Sequence, residues 1–160
     1  MKTIAGIIAS VLFTSCVTQR EITSLEQIEQ ISTGLPRDKA TVFVHIPPQT
    51  EVLSGTVTLD GQAVAKLPKG SFTRLTLKPG RRVLDIKYPT ITGPTCDDFS
   101  GNFKADTVYH VAFIKEPKPG SSIGAHMMHE LVYNVGYLKP LHAMDGIQLS
   151  RYEKYVPASQ

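Results

Sequence analysis

Two histidines three residues apart form the most chemically suggestive pattern in this chain of 160 residues. They enclose two methionines in the segment His126-Met127-Met128-His129-Glu130. Side chains at positions i and i+3 share a helix face, so the two histidines could bind one metal ion. Imidazole suits Zn or Cu(II), and the thioether of methionine suits Cu(I). The order of residues matches neither zinc-protease motif, since no Glu directly follows His126 and the inverted motif ends in Glu-His. One hypothesis is therefore a copper or zinc site at His126 and His129. The other is a loop or short helix whose methionines pack against a sheet.

A second candidate is Cys96, which is followed by Asp97 and Asp98. A nucleophilic cysteine needs a histidine or another positive group nearby to form its thiolate. Adjacent carboxylates raise the pKa of the thiol instead. The candidate partners are His110, His126 and His129, although sequence does not place them. A buried or unreactive thiol is the simpler interpretation, and an intermolecular disulfide is the next.

The third candidate is a concentration of positive charge. Residues 66–87 contain seven basic side chains and a single acidic one, Asp85. Such a surface could meet anionic lipid headgroups or lipopolysaccharide phosphates, or it could protect β edges from aggregation. The basic residues are Lys66, Lys69, Arg74, Lys78, Arg81, Arg82 and Lys87. Walker, Gly-loop and Ser-His-Asp signatures are missing from the sequence, and we predict a protein that is not an enzyme and uses no cofactor.

The N-terminus has the layout of a secretory signal. Lys2 supplies a positive charge, and Ile4 to Phe13 is an apolar run that is too short to span a membrane. Phe13-Thr14-Ser15-Cys16 resembles the lipobox of bacterial lipoproteins. The resemblance implies removal of residues 1–15, diacylglycerol on the Cys16 thiol and acylation of the new amine. Val17, where an Asp would favour inner-membrane retention, favours the outer membrane. The alternative is an ordinary cleaved signal with an incidental cysteine.

Composition is that of a folded protein with one domain, since 41% of residues are apolar and 19% are charged. We predict a signal peptide at 1–15, a lipidated N-terminus and tether at 16–38, and a single domain at 39–157. The tether contains apolar residues at every third position, and Thr23 with Glu26 fits a capping box, which favours a short amphipathic helix. Removing the signal leaves 16 basic and 14 acidic residues. This balance points to no particular partner, and nucleic acid is not expected for an exported protein.

From Thr41 onward the sequence predicts β structure. Asp60-Gly61, Pro68-Lys69-Gly70 and Pro79-Gly80 are turn signals between segments of alternating hydrophobicity. We therefore predict a mainly β fold, a small antiparallel β-sandwich, with a loop at 89–101 and a short C-terminal helix over Asp145 to Tyr155. The predicted strands lie near residues 42–46, 55–59, 62–67, 71–77, 83–88, 108–114 and 131–138.

The segment from Thr56 to Leu67, followed by Gly70, Leu75, Leu77, Lys78-Pro79-Gly80 and Val83, resembles the PEGA-type β module of bacterial envelope lipoproteins. The resemblance covers roughly residues 40–116 and consists mostly of turn chemistry. It implies an antiparallel sandwich on an envelope lipoprotein and implies no catalytic residues. The expected function is interaction or scaffolding on the periplasmic side of the membrane, with an envelope protein as partner. A metal-binding lipoprotein using His126 and His129 is the alternative, and the sequence sets no oligomeric state.

Overall fold

A computed structural model describes residues 22–50, 52–88, 96–97, 99–114 and 136–159. The helices are α1 (Leu25–Ser32) and α2 (Ala143–Arg151). The strands, in chain order, are β1 (Ala40–Ile46), β2 (Ser54–Leu59), β3 (Gln62–Pro68), β4 (Ser71–Leu77), β5 (Gly80–Lys87), β6 (Cys96–Asp97), β7 (Phe99–Phe103), β8 (Thr107–Ile114), β9 (Gly136–Leu141) and β10 (Lys154–Tyr155).

The strands form two sheets packed face to face. Sheet one has the order β10-β4-β1-β8-β9-β6, and sheet two has the order β3-β2-β5-β7. All pairs in sheet two are antiparallel, whereas sheet one adds three parallel pairs, including β1 with β8. The protein is thus a small, mostly antiparallel β-sandwich with a helix near its C-terminus, which confirms the predicted fold class.

The tightest hairpin shows how local chemistry sets this arrangement. Asp60 and Gly61 both have positive φ, 50° and 82°, as a two-residue type I′ turn requires. The turn joins β2 to β3, and β5 lies on the other side of β2. Leu84 and Ile86 on β5, with Tyr88 just after it, point inward and are buried, as their alternation predicts.

Strand β1 is buried along its whole length, because both of its faces are covered. Val42, Val44 and Ile46 face sheet two and join the main core, where burying each large apolar side chain contributes roughly 1.5–3 kcal/mol. Phe43 and His45 point to the opposite face of sheet one. We call the two helices that cover this face, α1 and α2, the outer layer.

Helix α1 confirms the amphipathic helix expected near the N-terminus, but its cap differs from the predicted pair. Ser24 and Gln27 form the capping box, rather than Thr23 and Glu26. The reason is tertiary: the Thr23 hydroxyl donates to the backbone carbonyl of Glu153 instead. Residues 22–32 of the segment predicted as a tether are therefore docked on the domain, and Ile28 is buried.

Three other boundaries differ from the sequence-based expectations. Part of the segment expected to be a loop at 89–101 forms β6 and the start of β7. Strand β6 pairs with β9, and β7 pairs with β5. This tertiary pairing overrides the low strand propensity of residues such as Gly101. The C-terminal helix ends at Arg151, and the chain then extends into β10. Strand β9 runs on to Leu141, beyond the predicted end at Leu138. Within the described ranges, no helix has the length and hydrophobicity needed to cross a membrane.

Candidate functional site

Three ionisable side chains meet in the covered face of sheet one. We call His45, His110 and Glu153 the His–Glu cluster. His45 Nδ1 lies 2.6 Å from Glu153 Oε2, and His45 Nε2 lies 3.1 Å from His110 Nδ1. The parallel pairing of β1 with β8 places the two histidines on the same face, and Glu153 lies between α2 and β10. The cluster is a linear chain with His45 at its centre.

Aromatic rings and a helix enclose this chain. Phe43 stacks on His110 with ring centroids 4.9 Å apart, and Phe72 stacks on His45 at 5.5 Å. Helix α2 crosses His110 at Gly146, where an added Cβ would lie 2.2 Å from the ring carbon Cγ. His45 and Glu153 are 0% exposed and His110 is 6% exposed, so His110 is the member closest to solvent.

Burial decides the charge state of the cluster. It raises the pKa of Glu153 to about 9 and lowers the pKa of His45 to about 3. The pKa of His110 falls to about 4, first through burial and then through repulsion from His45. Near neutral pH all three groups are therefore neutral.

The neutral charge state assigns a proton to each hydrogen bond of the cluster. Glu153 Oε1 is buried and has no hydrogen-bond partner among the described residues, so an ionised carboxylate would leave charge unpaired on that oxygen. The neutral carboxyl instead donates from Oε2 to His45 Nδ1, and His45 Nε2–H then donates to His110 Nδ1. In this arrangement each bond has one donor and one acceptor, and His110 keeps its proton on Nε2.

This geometry suits a structural or proton-responsive role better than metal binding. Both nitrogens of His45 are already used inside the cluster, so the three side chains cannot converge on one ion. In the part of the chain that the structure describes, no group of three His, Cys, Asp or Glu side chains could hold a metal.

A surface cavity of about 480 Å³ lies between α1 and β10, beside the backbone of Glu153. Its walls combine apolar side chains with two amides, two hydroxyls and one ammonium group. They are formed by Ile22, Thr23, Gln27, Gln30, Ile31, Lys154 and Tyr155. The Gln27 side chain takes part in the capping box of α1. Lys154 is the one charged residue among those that line this cavity.

The residues singled out in the sequence fall mostly elsewhere. Cys16, His126 and His129 lie outside the described residues, so the lipid and metal hypotheses stay predictions. Cys96 lies in β6, whose backbone pairs with Gly136 in β9. His110 is in the cluster, where its described partner is His45.

The basic residues of the 66–87 segment do not form a single face. Arg74 lies in sheet one and donates to the backbone carbonyl of Ile31 in α1 at 2.5 Å. Arg82 lies in sheet two and pairs with Asp60 at 2.9 Å, an exposed contact worth roughly 0.2–1 kcal/mol. Lys66 and Lys87 lie on either side of Thr56 in sheet two. Part of this charge therefore stabilises the fold.

The sequence-based reasoning missed His45 and Glu153. A signal existed for the histidines, since His45 and His110 each interrupt an otherwise apolar strand. Glu153 carries no local signal, because its neighbours form an ordinary polar turn and only the tertiary fold brings it to β1. Comparisons of the chain with protein-family models, with curated proteins and with solved structures find no match. The PEGA-type resemblance accordingly stays a prediction that rests on its turn residues.

Proposed function

We propose that this chain is a non-enzymatic, lipid-anchored protein of the bacterial envelope, whose sandwich is an interaction or scaffolding module on the periplasmic side of the membrane. The observation that carries the proposal is Phe13-Thr14-Ser15-Cys16, placed directly after an apolar run. Val17 in the following position favours the outer membrane. One acyl chain binds a membrane only weakly, whereas the two or three chains of a lipoprotein hold it stably.

The position of Ile22, the first residue that the structure describes, supports a role close to the membrane. Six residue steps separate Cys16 from Ile22, whose backbone N–H donates to the Arg151 carbonyl at 2.8 Å. An extended chain spans at most about 3.3–3.6 Å per residue, so this link reaches about 20 Å. A lipid on Cys16 would thus hold the sandwich at the bilayer surface, where an envelope partner would meet it.

The hydrogen-bond pattern of the His–Glu cluster supports an interaction role rather than catalysis. A general base must have a free nitrogen within hydrogen-bond reach of a substrate proton. Both nitrogens of His45 are engaged, and stacking on Phe43 and contact with Gly146 cover two sides of His110. The cluster is built to join the outer layer to sheet one.

The first test is the mass of the mature N-terminal peptide from native membranes, with Cys16→Ser as the control. A diacylated or triacylated Cys16 supports the proposal, and an unmodified N-terminus contradicts the anchor. The non-enzymatic part has its own test: hydrolase activity that disappears on substitution of His110 or Cys96 would contradict it. Crosslinking from Lys66 and Lys87 in intact envelopes, followed by identification of the captured protein, then addresses the partner.

A metal-binding lipoprotein is the second candidate, and the observation behind it is the His126-Met127-Met128-His129 segment. It predicts stoichiometric copper or zinc on the purified chain and loss of that metal in the double variant His126→Ala, His129→Ala. His142→Ala is the matched control, since that histidine lies at the start of α2 and makes no side-chain capping bond. Absence of binding at micromolar metal would refute this alternative.

A further inference from the structure

Glu153 connects three parts of the molecule. Its side chain bonds to His45 of sheet one, and its backbone carbonyl accepts from the Thr23 hydroxyl at the start of α1. The N–H groups of Ile22 and Thr23 both donate to the neighbouring carbonyl of Arg151, at 2.8 and 3.2 Å. The N-terminal helix is therefore attached to the sheet through the same residues that hold the His–Glu cluster.

Few charged groups in the described part of the chain face this cluster. Helix α2 presents Gly146, whose carbonyl accepts from the Ser150 hydroxyl at 2.9 Å, and β4 presents Phe72. Arg74 of β4 is turned to the Ile31 carbonyl. Strand β9 places Leu141 opposite His110 and Lys139 opposite Ala112, with Lys139 exposed. Arg151 and Asp145 belong to α2, and Asp145 is exposed, as is Lys154 of β10. In the described structure the carboxyl group of Glu153 contacts His45, and His110 has no carboxyl partner.

Adding a proton to His110 breaks the pattern of donors and acceptors. Its Nδ1 then carries a hydrogen and can no longer accept from His45 Nε2, so the 3.1 Å bond is lost. Among the described residues the new imidazolium is buried without a partner carboxylate, because Glu153 is bonded to His45. Hydration of the ring requires α2 to move away, since Gly146 lies directly against it.

We propose that uptake of a proton by the His–Glu cluster detaches the outer layer from sheet one, so that acidification lengthens the link between Cys16 and the sandwich. The second half of this inference rests on the lipid anchor proposed above, whereas the first half does not. The docked link spans six residue steps, and the released chain from Cys16 to β1 spans 24, or at most about 80 Å when extended. The sandwich would then reach partners well away from the bilayer.

The lowered pKa values of His45 and His110 agree with this direction. In the released state the three groups return to water and to their ordinary pKa values, so release takes up one net proton between about pH 4.5 and 6.5. A one-proton difference raises the opening equilibrium about tenfold per pH unit. At pH 6.5 the released histidines are half protonated and the difference is zero, so going from pH 6.5 to 4.5 should raise the opening of the outer layer about thirtyfold.

Amide hydrogen exchange on the full chain carrying Cys16→Ser tests the first half without any lipid. Exchange is corrected for the intrinsic rate at each pH, and α1 is compared with β1 in the same molecules. We expect the protection of α1 to fall about thirtyfold from pH 6.5 to 4.5, while β1 keeps a much higher protection factor than α1 at both pH values. Equal protection factors in α1 and β1 at each pH, or a protection of α1 that does not change with pH, would overturn the proposal.

Two variants keep the test decisive. His110→Gln should make α1 protection nearly independent of pH in this range. Ser24→Ala removes the capping bond but touches no cluster residue, so it should lower protection by a similar factor at every pH. If His110→Gln does not fold, Thr23→Val replaces it: α1 should then be weakly protected at both pH values while β1 keeps its protection. A wild-type slope that persists in His110→Gln, or strong α1 protection in Thr23→Val, contradicts the inference.

The second half of the inference, the longer link between Cys16 and the sandwich, is tested on the lipidated chain in nanodiscs. The measurement is the distance from a fluorophore on Lys66 to the bilayer at pH 6.5 and pH 4.5. An increase at pH 4.5 supports it. Release in the exchange experiment with no change in distance, while mass spectrometry confirms the lipid, refutes the lengthening alone. An unmodified Cys16 refutes the anchor and leaves the release measurement standing.

Discussion

The His–Glu cluster should give the protein a stability maximum near pH 6.5, with losses on both sides. The folded cluster carries one titratable proton, shared between Glu153 and His45, from about pH 4 to about pH 9. This number does not depend on whether the shared proton lies on the carboxyl or on the imidazole. The pH dependence therefore follows from the net charge of the cluster, which is zero in either form.

The sign follows from comparison with the unfolded chain, whose Glu153 titrates near 4.5 and whose histidines titrate near 6.5. Above pH 6.5 the unfolded chain holds no proton on these groups, one fewer than the folded protein, so stability falls as pH rises toward 9. Between 4.5 and 6.5 it holds two, one more than the folded protein, so stability falls as pH drops.

One proton of difference corresponds to about 1.4 kcal/mol per pH unit. The slope is zero at the maximum and reaches this value about one pH unit away, so moving from pH 6.5 to 4.5, or from 6.5 to 8.5, should cost about 2 kcal/mol each. That is a large part of the 5–15 kcal/mol typical of a folded domain. The lowered pKa of Asp60, caused first by the Val83 backbone N–H, affects stability only below its ordinary value of 3.8, outside this window.

The assay is urea unfolding at half-unit pH steps, with midpoints compared at a constant m-value. Two variants separate the limbs of the curve. Glu153→Gln removes the shared proton, which should flatten the alkaline limb and double the slope of the acid limb. His110→Gln removes one titrating imidazole, which should flatten the acid limb and keep the alkaline one. A wild-type curve that passes monotonically through pH 6.5, with both variants parallel to it, would refute the reasoning.

Three further substitutions test the packing. Gly146→Ala should destabilise the protein by about 1–3 kcal/mol, because the added Cβ would meet the His110 ring. Helix propensity alone predicts the opposite, a gain of about 1 kcal/mol. A raised urea midpoint would therefore contradict the contact between Gly146 and His110. Gly61→Ala should cost about 1–2 kcal/mol because Gly61 has a φ of 82°, and thermal unfolding beside the exposed control Lys66→Ala measures it. Tyr88→Phe should cost about 1–3 kcal/mol, since the Gly136 N–H now donates to the Tyr88 hydroxyl at 2.6 Å; an unchanged unfolding midpoint would show that another acceptor replaces it.

Local sequence was sufficient for much of the fold. The strand over Ser71–Leu77 lies where alternation predicts it, and Asp60-Gly61 forms the predicted two-residue turn, because both signals depend on backbone sterics and nearest neighbours. The helix near the N-terminus was also predictable from its period. Its N-cap was not predictable, because the Thr23 hydroxyl donates to the Glu153 carbonyl, 130 residues away in the chain, instead of capping the helix.

The candidate site belongs to the tertiary structure. Sequence determines that this chain has a mainly β fold. It also provides three hypotheses: a signal peptide, lipidation of Cys16 and a metal site at His126 and His129. It does not place His45 beside His110 and Glu153, because that contact needs the parallel pairing of β1 with β8 and the return of the C-terminus over β4. Local patterns encode the propensity of a segment, whereas the proximity of residues far apart in the chain depends on which faces are buried together. Only the packed fold decides that a glutamate in a polar turn becomes a neutral, buried partner of two histidines.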